Sequence, residues 1–305
     1  NITASVDTDY YEKQKSKKKS FGRSKSSTEI KYTTSHNSSN LIGENINIAS
    51  GNNTSIIGSN IQAGTEGKAE INAGGDIIQG AVKDINYSYK KTTKKGFLGL
   101  TGSSKSSKSY KEDAIKANTI SGTGGTTYIA DKGIMLEGVT VVSTGNVTLK
   151  GTDVSINPVE EKSFQEIKQK KKGFAGSIGG GGISLSYGKS KDEIKTTATE
   201  NIASNIVSQG KVTIEADGGK AELKSVDIYG NEGIDISGTK GVELTTSKNK
   251  TAVDEKHKST SIGVNVGIQS SITNTIENVK NIDKLTDFGG NSYDIANTAS
   301  DLVGA

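Results

Sequence analysis

Three segments constrain what this chain can fold into: KSKKKSFGRSKSS, KTTKKGFLGLTGSS and KQKKKGFAGSIGGGG each run a lysine cluster into a phenylalanine and then a small, glycine-containing stretch. Phe21, Phe97 and Phe174 therefore stand 76 and 77 residues apart. A recurrence of that length marks a repeat protein, and a period so long holds several smaller structural units. The expected architecture is an extended array and not a globule around one core.

The chain carries 33 Ile and 17 Val against 10 Leu, and β-branched side chains suit a pleated surface better than a helix. With 38 Gly and a single Pro, turns fall to Gly, Asn and Asp. Between the lysine clusters apolar and polar residues alternate over three to five positions, as in NVTLKG, TDVSINP, KVTIEADGG and KAELKSVDIYG. Inside the third block Ile214 and Ile236 lie 22 apart and Leu223 and Leu244 lie 21 apart, each at the inward position of a similar strand. About 21 residues per turn, built from short strands and small loops, predicts a right-handed parallel β-helix with coils stacked roughly 4.8 Å apart. The coil segments, about 36–86, 114–159 and 198–246, allow something like seven coils by that spacing. A β-sandwich is the competing architecture, since it too is made of short strands with turn signals.

The segments at about 8–35, 87–113, 160–197 and 247–270 break the coil rhythm and read as long hairpins projecting from the rod. In GSIGGGGISLSYGKS, Ile183, Leu185 and Tyr187 alternate with Ser, so that one side of the strand is apolar and the other small and polar. Charge follows the same division. Residues 13–25 hold six Lys and Arg23 with no acid, whereas residues 196–247 hold four Lys against eight Asp or Glu. The candidate contact residues are Lys17, Lys18, Lys19, Phe21, Lys94, Lys95, Phe97, Lys170, Lys171, Lys172, Phe174, Ile183, Leu185 and Tyr187. Exposed lysines attract phosphate-bearing lipid or polysaccharide weakly and in a salt-sensitive way. The competing expectation is that they keep hairpin edges soluble and unpaired. Arg23 is the only arginine, which disfavours a nucleic-acid partner because base contacts lean on Arg.

The combination of coils such as NVTLKGTDVSI and KVTIEADGG with KKGF-type glycine-rich hairpins resembles the haemagglutinin repeats of filamentous haemagglutinins and contact-dependent growth inhibition effectors. The resemblance covers residues 1–270 and is closest to the second repeat region of those effectors. It implies a secreted, surface-displayed segment of a larger Gram-negative exoprotein, exported through a two-partner outer-membrane transporter. It further implies contact with the target cell's outer membrane, and delivery of a toxin carried downstream in the same chain. Alternating strands of about ten residues are also what a transmembrane barrel uses. Packing of the hairpins on the rod's flank is the plainer reading. An adhesin repeat that binds glycans and carries no toxin remains open.

A polysaccharide-active enzyme needs clustered carboxylates or a carboxylate-bound cation. Asp76, Asp153, Asp217, Asp227 and Asp235 are scattered at turns and outward positions, so no catalytic, cofactor or metal residue is assigned. With no cysteine there is no disulfide, thiol nucleophile or thiolate site. His36 and His257 stand in polar segments and read as solvent-exposed. Finally, Ile272, Ile276, Val279, Ile282 and Leu285 recur at helical spacing, which predicts a helical cap or transition segment over 271–305.

Overall fold

The computed structural model describes residues 1–179 and 182–266, so the helical segment expected over 271–305 lies outside the described residues. Contacts divide the chain into two units, Asn1–Gly173 with Gly188–Ser261 and Phe174–Tyr187 with Ile262–Ala305.

The first unit contains a three-sided parallel β-helix. Face one is formed by Asn40–Gly43, Asn60–Ala63, Ala117–Ser121, Val139–Ser143, Ser204–Ser208 and Val226–Gly230. Face two is formed by Ile46–Ser50, Lys68–Ala73, Gly125–Ala130, Val147–Gly151, Val212–Ala216 and Ile234–Gly238. Face three starts with Ile2–Thr3 and continues through Thr54–Ile57, Ile77–Gly80, Gly133–Glu137, Asp153–Asn157, Ala221–Lys224 and Val242–Thr245. The chain runs face one, two, three in every coil, and six full coils form among the described residues, one fewer than the sequence suggested. Their stack rises about 29 Å at the usual strand spacing.

Strand alternation sends columns of side chains inward from each face, one of them holding the bulkiest residues. On face two the column is Ile48, Ile71, Tyr128, Leu149, Ile214 and Ile236, so the two isoleucines predicted to stack pair directly. On face three it is Ile2, Ile56, Gln79, Leu136, Ile156, Leu223 and Leu244. Each fully buried aliphatic side chain contributes roughly 1.5–3 kcal/mol. Turn residues tie neighbouring coils: Asn53 Oδ1 accepts the Asp76 amide at 2.8 Å, and Asp76 Oδ1 accepts the Gly133 amide at 2.9 Å. Asp153 Oδ1 likewise accepts the Lys220 amide at 2.9 Å.

Polar groups interrupt this interior at a serine–threonine cluster of Ser121, Thr126 and Ser143 and at a ring around Tyr128. Tyr128 donates to Gln79 Oε1 at 2.7 Å, Gln79 Nε2 donates to Thr119 Oγ1 at 3.0 Å, and Thr119 Oγ1 lies 2.8 Å from Tyr128 Oη. All three residues are completely buried and each comes from a different face. Burial pushes the Tyr128 phenol above its ordinary pKa.

The corner from face three to face one alternates between two solutions. At Gly58 (φ 57°), Gly138 (φ 59°) and Ser225 (φ 43°) the chain turns directly through a left-handed residue. At the intervening corners a hairpin is inserted. The two solutions fit together, because a Cβ on Gly58 would fall 2.6 Å from Val82 and one on Gly138 2.5 Å from Val159, the valines that begin hairpins two and three.

Hairpin one comprises Ser5–Lys18 and Ser24–Asn37, hairpin two Val82–Lys95 and Gly102–Ile115, and hairpin three Val159–Gly179 and Gly182–Ile202, followed by the strand Lys250–Val266. They do not project singly. These strands join in chain order into one seven-stranded antiparallel sheet, a fin, which corrects the expectation that the lysines hold hairpin edges apart. A hairpin is two strands wide and recurs after two coils, so its width of about 9.6 Å equals the rise between insertions. Across the fin Tyr10, Tyr32, Tyr87, Tyr110 and Phe164 face one another in register, an aromatic row of the kind that pins sheet register. Lys108 Nζ lies 5.8 Å from the Tyr87 ring centroid and 5.5 Å from that of Phe164.

Of the two histidines expected in solvent, His257 is exposed, its side chain at 68%, whereas His36 is largely covered, at 19%. His36 Nδ1 is 2.8 Å from Asp84 Oδ1, joining hairpin one to hairpin two, and His257, on the strand that follows hairpin three, pairs with Asp192 of that hairpin.

Candidate functional site at the tips of the fin

Acidic residues stop short of the outer end of the fin, the outermost in hairpin one being Glu12 and Glu29. Residues 13–28, 85–111 and 167–191 contain no Asp or Glu and carry seven, seven and six Lys or Arg respectively. Register places the charges in rows. Lys17, Lys25 and Lys94 are direct neighbours on one side of the fin, and the row continues through Ser103 to Lys171. One residue further out, Lys18, Ser24, Lys95, Gly102 and Lys172 form the corresponding row on the opposite side. Both sides of the distal fin are thus basic.

The ion pairs of the fin stop where the acids stop. Lys31, Lys83, Lys111, Lys162, Lys168 and Lys191 each pair with a carboxylate. Ammonium groups crowd beyond that line: burial first, and then the charge of Lys171, push the Lys105 pKa down.

At the outer edge the chain turns through left-handed residues, Phe21 (φ 59°) and Gly22 in hairpin one and Leu98 (φ 48°) and Gly99 in hairpin two. These turns push large apolar side chains outward. Phe21 is 70% exposed, Leu98 66% and Leu100 48%. The Leu98 amide donates to the Phe21 carbonyl at 3.1 Å, so the first two tips form one continuous edge. In the second unit Phe174, 53% exposed, packs on Tyr187 with ring centroids 5.0 Å apart. The side chains of Phe97, Ile183 and Leu185 lie outside the described ones.

Thus the fin brings Lys17, Lys18, Lys94, Lys95, Lys171 and Lys172 into shared rows, with Lys170 in the row nearer the coils and Lys19 at the turn of hairpin one. Among the described residues no group of three or more His, Asp or Glu is placed to hold a metal ion. No described helix is long and apolar enough to cross a membrane.

A family model described as Hemagglutinin repeat matches residues 19–163 and 185–281. The chain belongs to the hemagglutinin repeat family. In this family member each matched stretch includes fin and coil strands together. Among curated proteins the chain is 28% identical over 198 residues to the 16S rRNA endonuclease CdiA of Enterobacter cloacae, covering 59% of this chain and 6% of that protein. It is 29% identical over 242 residues to the tRNA nuclease CdiA-2 of Burkholderia pseudomallei, covering 77% of this chain and 8% of that protein. A tRNA nuclease CdiA of Escherichia coli strain STEC_O31 matches at 26% over 198 residues, again 6% of its length. The chain therefore spans less than a tenth of the curated relatives it matches. No solved structure matches it.

Proposed function

We propose that this chain is a non-enzymatic repeat segment of a large secreted exoprotein of the contact-dependent growth inhibition type. In this reading the parallel coils supply reach, and the distal fin makes contact with the outer membrane of a target cell. The nuclease activities in the relatives' names belong to parts of those proteins beyond the short matched stretch, and a toxin carried elsewhere in this chain's parent exoprotein would be delivered with the help of that contact. Export through a two-partner outer-membrane transporter and display at the cell surface of a Gram-negative bacterium complete the proposal.

The observation that carries this reading is the acid-free distal fin with apolar side chains at its outermost edge. Anionic headgroups attract the lysine rows, and Phe21, Leu98 and Leu100 then bury apolar area among the acyl chains. Lysine stems reach along the apolar boundary while their ammonium groups stay with phosphate. The fin acts at the surface in this account, since hairpins one and two carry lysines on both sides and offer lipid no apolar side.

Limited proteolysis with and without Gram-negative outer-membrane vesicles tests it. Protection of the lysine clusters at 17–19, 94–95 and 170–172 only when vesicles are present supports membrane contact. Unchanged cutting at those sites, over a resistant coil stack, argues for a passive stalk.

A further inference from the structure

The outward side of face one differs from the other two. Its six strands present twelve outward residues in two columns. One column is Asn40, Asn60, Asn118, Thr140, Asn205 and Asp227, and the other is Ile42, Gln62, Ile120, Val142, Val207 and Tyr229. Only Asp227 among them is charged, in a chain whose composition is 24% charged. The corresponding outward positions of face two include Glu70, Lys150, Glu215 and Asp235, all tied into ion pairs.

The aliphatic column is open to solvent. Ile42 is 75% exposed, Ile120 42%, Val207 37% and Tyr229 56%. The amide column beside it is ordered along the stack: Asn60 Nδ2 donates to Asn40 Oδ1 at 2.8 Å, and Asn118 Nδ2 donates to Asn60 Oδ1 at 2.8 Å. Asn40 Nδ2 also donates to the Ser38 carbonyl at 3.2 Å and Asn118 Nδ2 to the Lys116 carbonyl at 3.4 Å, which leaves one donor each on Asn40 and Asn60 and spare acceptor capacity along the row. The two columns together set an amide beside an apolar side chain on alternate strands, at Asn40 and Ile42, Asn118 and Ile120, and Asn205 and Val207, over about 24 Å.

We propose that this outward side of face one is a binding strip for a linear, uncharged polysaccharide lying along the coil axis. A sugar ring has a C–H surface and a rim of hydroxyls that both donate and accept. The aliphatic column meets the first and the amide column the second, and their pairing recurs every two strands, about 9.6 Å, close to the length of a disaccharide unit. Charge depletion excludes a polyanion, which belongs on the fin. A second copy of the chain is disfavoured by area, because a strip of about 24 by 16 Å offers roughly half of the ~800 Å² per partner that a stable interface buries. The strip is separate from the fin edge, so it stands or falls independently of membrane contact.

The test is co-sedimentation of the full 305-residue chain with insoluble cellulose, mannan and chitin, at low and high salt, with polygalacturonate as the charged control. The expected result is retention on at least one neutral polymer that is insensitive to salt and falls at least tenfold in the double variant Ile120→Lys/Val207→Lys. A second variant, Asn60→Ala/Asn118→Ala, removes the amide rungs at half-exposed positions and must also weaken retention, whatever the lysine variant does to folding. The fin variant Lys17→Gln/Lys94→Gln/Lys171→Gln must leave it unchanged while weakening vesicle protection. Failure to sediment with any neutral polymer overturns the proposal, as does equal retention of both face-one variants, or retention lost at high salt. A dimer in sedimentation equilibrium that the same variants abolish, without polymer binding, assigns the strip to a second copy instead.

Discussion

Tyr128→Phe is the most informative single change in the coil stack. The ring volume is kept, so no appreciable cavity forms, and what is lost is one hydroxyl at the meeting point of three faces. Without it Gln79 Oε1 loses the donor at 2.7 Å, and Thr119 Oγ1 loses the partner at 2.8 Å, keeping only the Gln79 amide at 3.0 Å. Gln79 Oε1 is left with Thr119 Oγ1 at 3.5 Å, at the limit of a hydrogen bond. No solvent reaches these atoms, since all three residues are fully buried. Leaving a buried polar group unpaired costs about 1–3 kcal/mol, so a central value near 2 kcal/mol raises local opening roughly 30-fold. Unfolding of a repeat array need not be two-state, so hydrogen exchange followed residue by residue is the appropriate assay. Faster exchange should centre on strands Ile77–Gly80, Ala117–Ser121 and Gly125–Ala130, the three that supply the ring. The triple variant Gln79→Leu/Thr119→Val/Tyr128→Phe removes every partner together and should recover most of the loss. Unchanged exchange in Tyr128→Phe, or a triple variant worse than the single one, would refute the reasoning.

Other consequences follow from the corners and the fin. Gly138→Ala places a methyl 2.5 Å from Val159 at a left-handed backbone position, and should cost about 2–4 kcal/mol, read as faster exchange at the base of hairpin three; adding Val159→Ala should return part of that. Burial raises the Glu112 pKa, but the Tyr110 hydroxyl, Lys83 and the Lys162 amide outweigh it and hold the carboxyl below the usual glutamate range. A depressed carboxyl stabilises the fold above the ordinary glutamate pKa of about 4.3 and stops doing so as pH falls through its folded value, so exchange between hairpins two and three should quicken in acid, less so in Glu112→Gln. The same contact, with burial assisting, pushes Tyr110 up to about 12, so its share of stability is full below the ordinary tyrosine range near 10 and is lost as pH rises toward 12. Ultraviolet titration should show that late ionisation disappear in Tyr110→Phe.

Sequence periodicity carried the coil stack well. Ile214 over Ile236 and Leu223 over Leu244 follow from spacings of 22 and 21, because a coil length is written directly into the chain. The lysine clusters and exposed phenylalanines were legible as well, since charge runs and single aromatics need no partner to be noticed. Pairing of the hairpins into a fin was not, because it follows from an equality between hairpin width and the rise of two coils. That equality becomes visible only once two coils are seen between insertions. The partners of Tyr128 lie 9 and 49 residues away on other faces, and Asp84 lies 48 residues from His36, so neither constellation leaves a local pattern. Glycine at 58 and 138 looked like ordinary turn chemistry, and only the neighbouring valines show why a side chain is excluded there. The outward columns of face one were hidden for a similar reason, since each coil contributes two unremarkable residues and the strip exists only in register.

Membrane contact by the fin edge is the central claim, and the chain's lack of tryptophan offers a direct probe. Phe21→Trp puts a single indole at the outermost turn of hairpin one, where the native ring is 70% exposed. Its emission should be recorded while vesicles of anionic outer-membrane lipid, or of neutral lipid, are added with brominated acyl chains as quenchers. The account predicts a blue shift and quenching with anionic vesicles, reduced by salt and by Lys17→Gln/Lys94→Gln/Lys171→Gln. Emission that stays at the solvent-exposed wavelength with anionic vesicles, or that shifts equally with neutral ones, would contradict it.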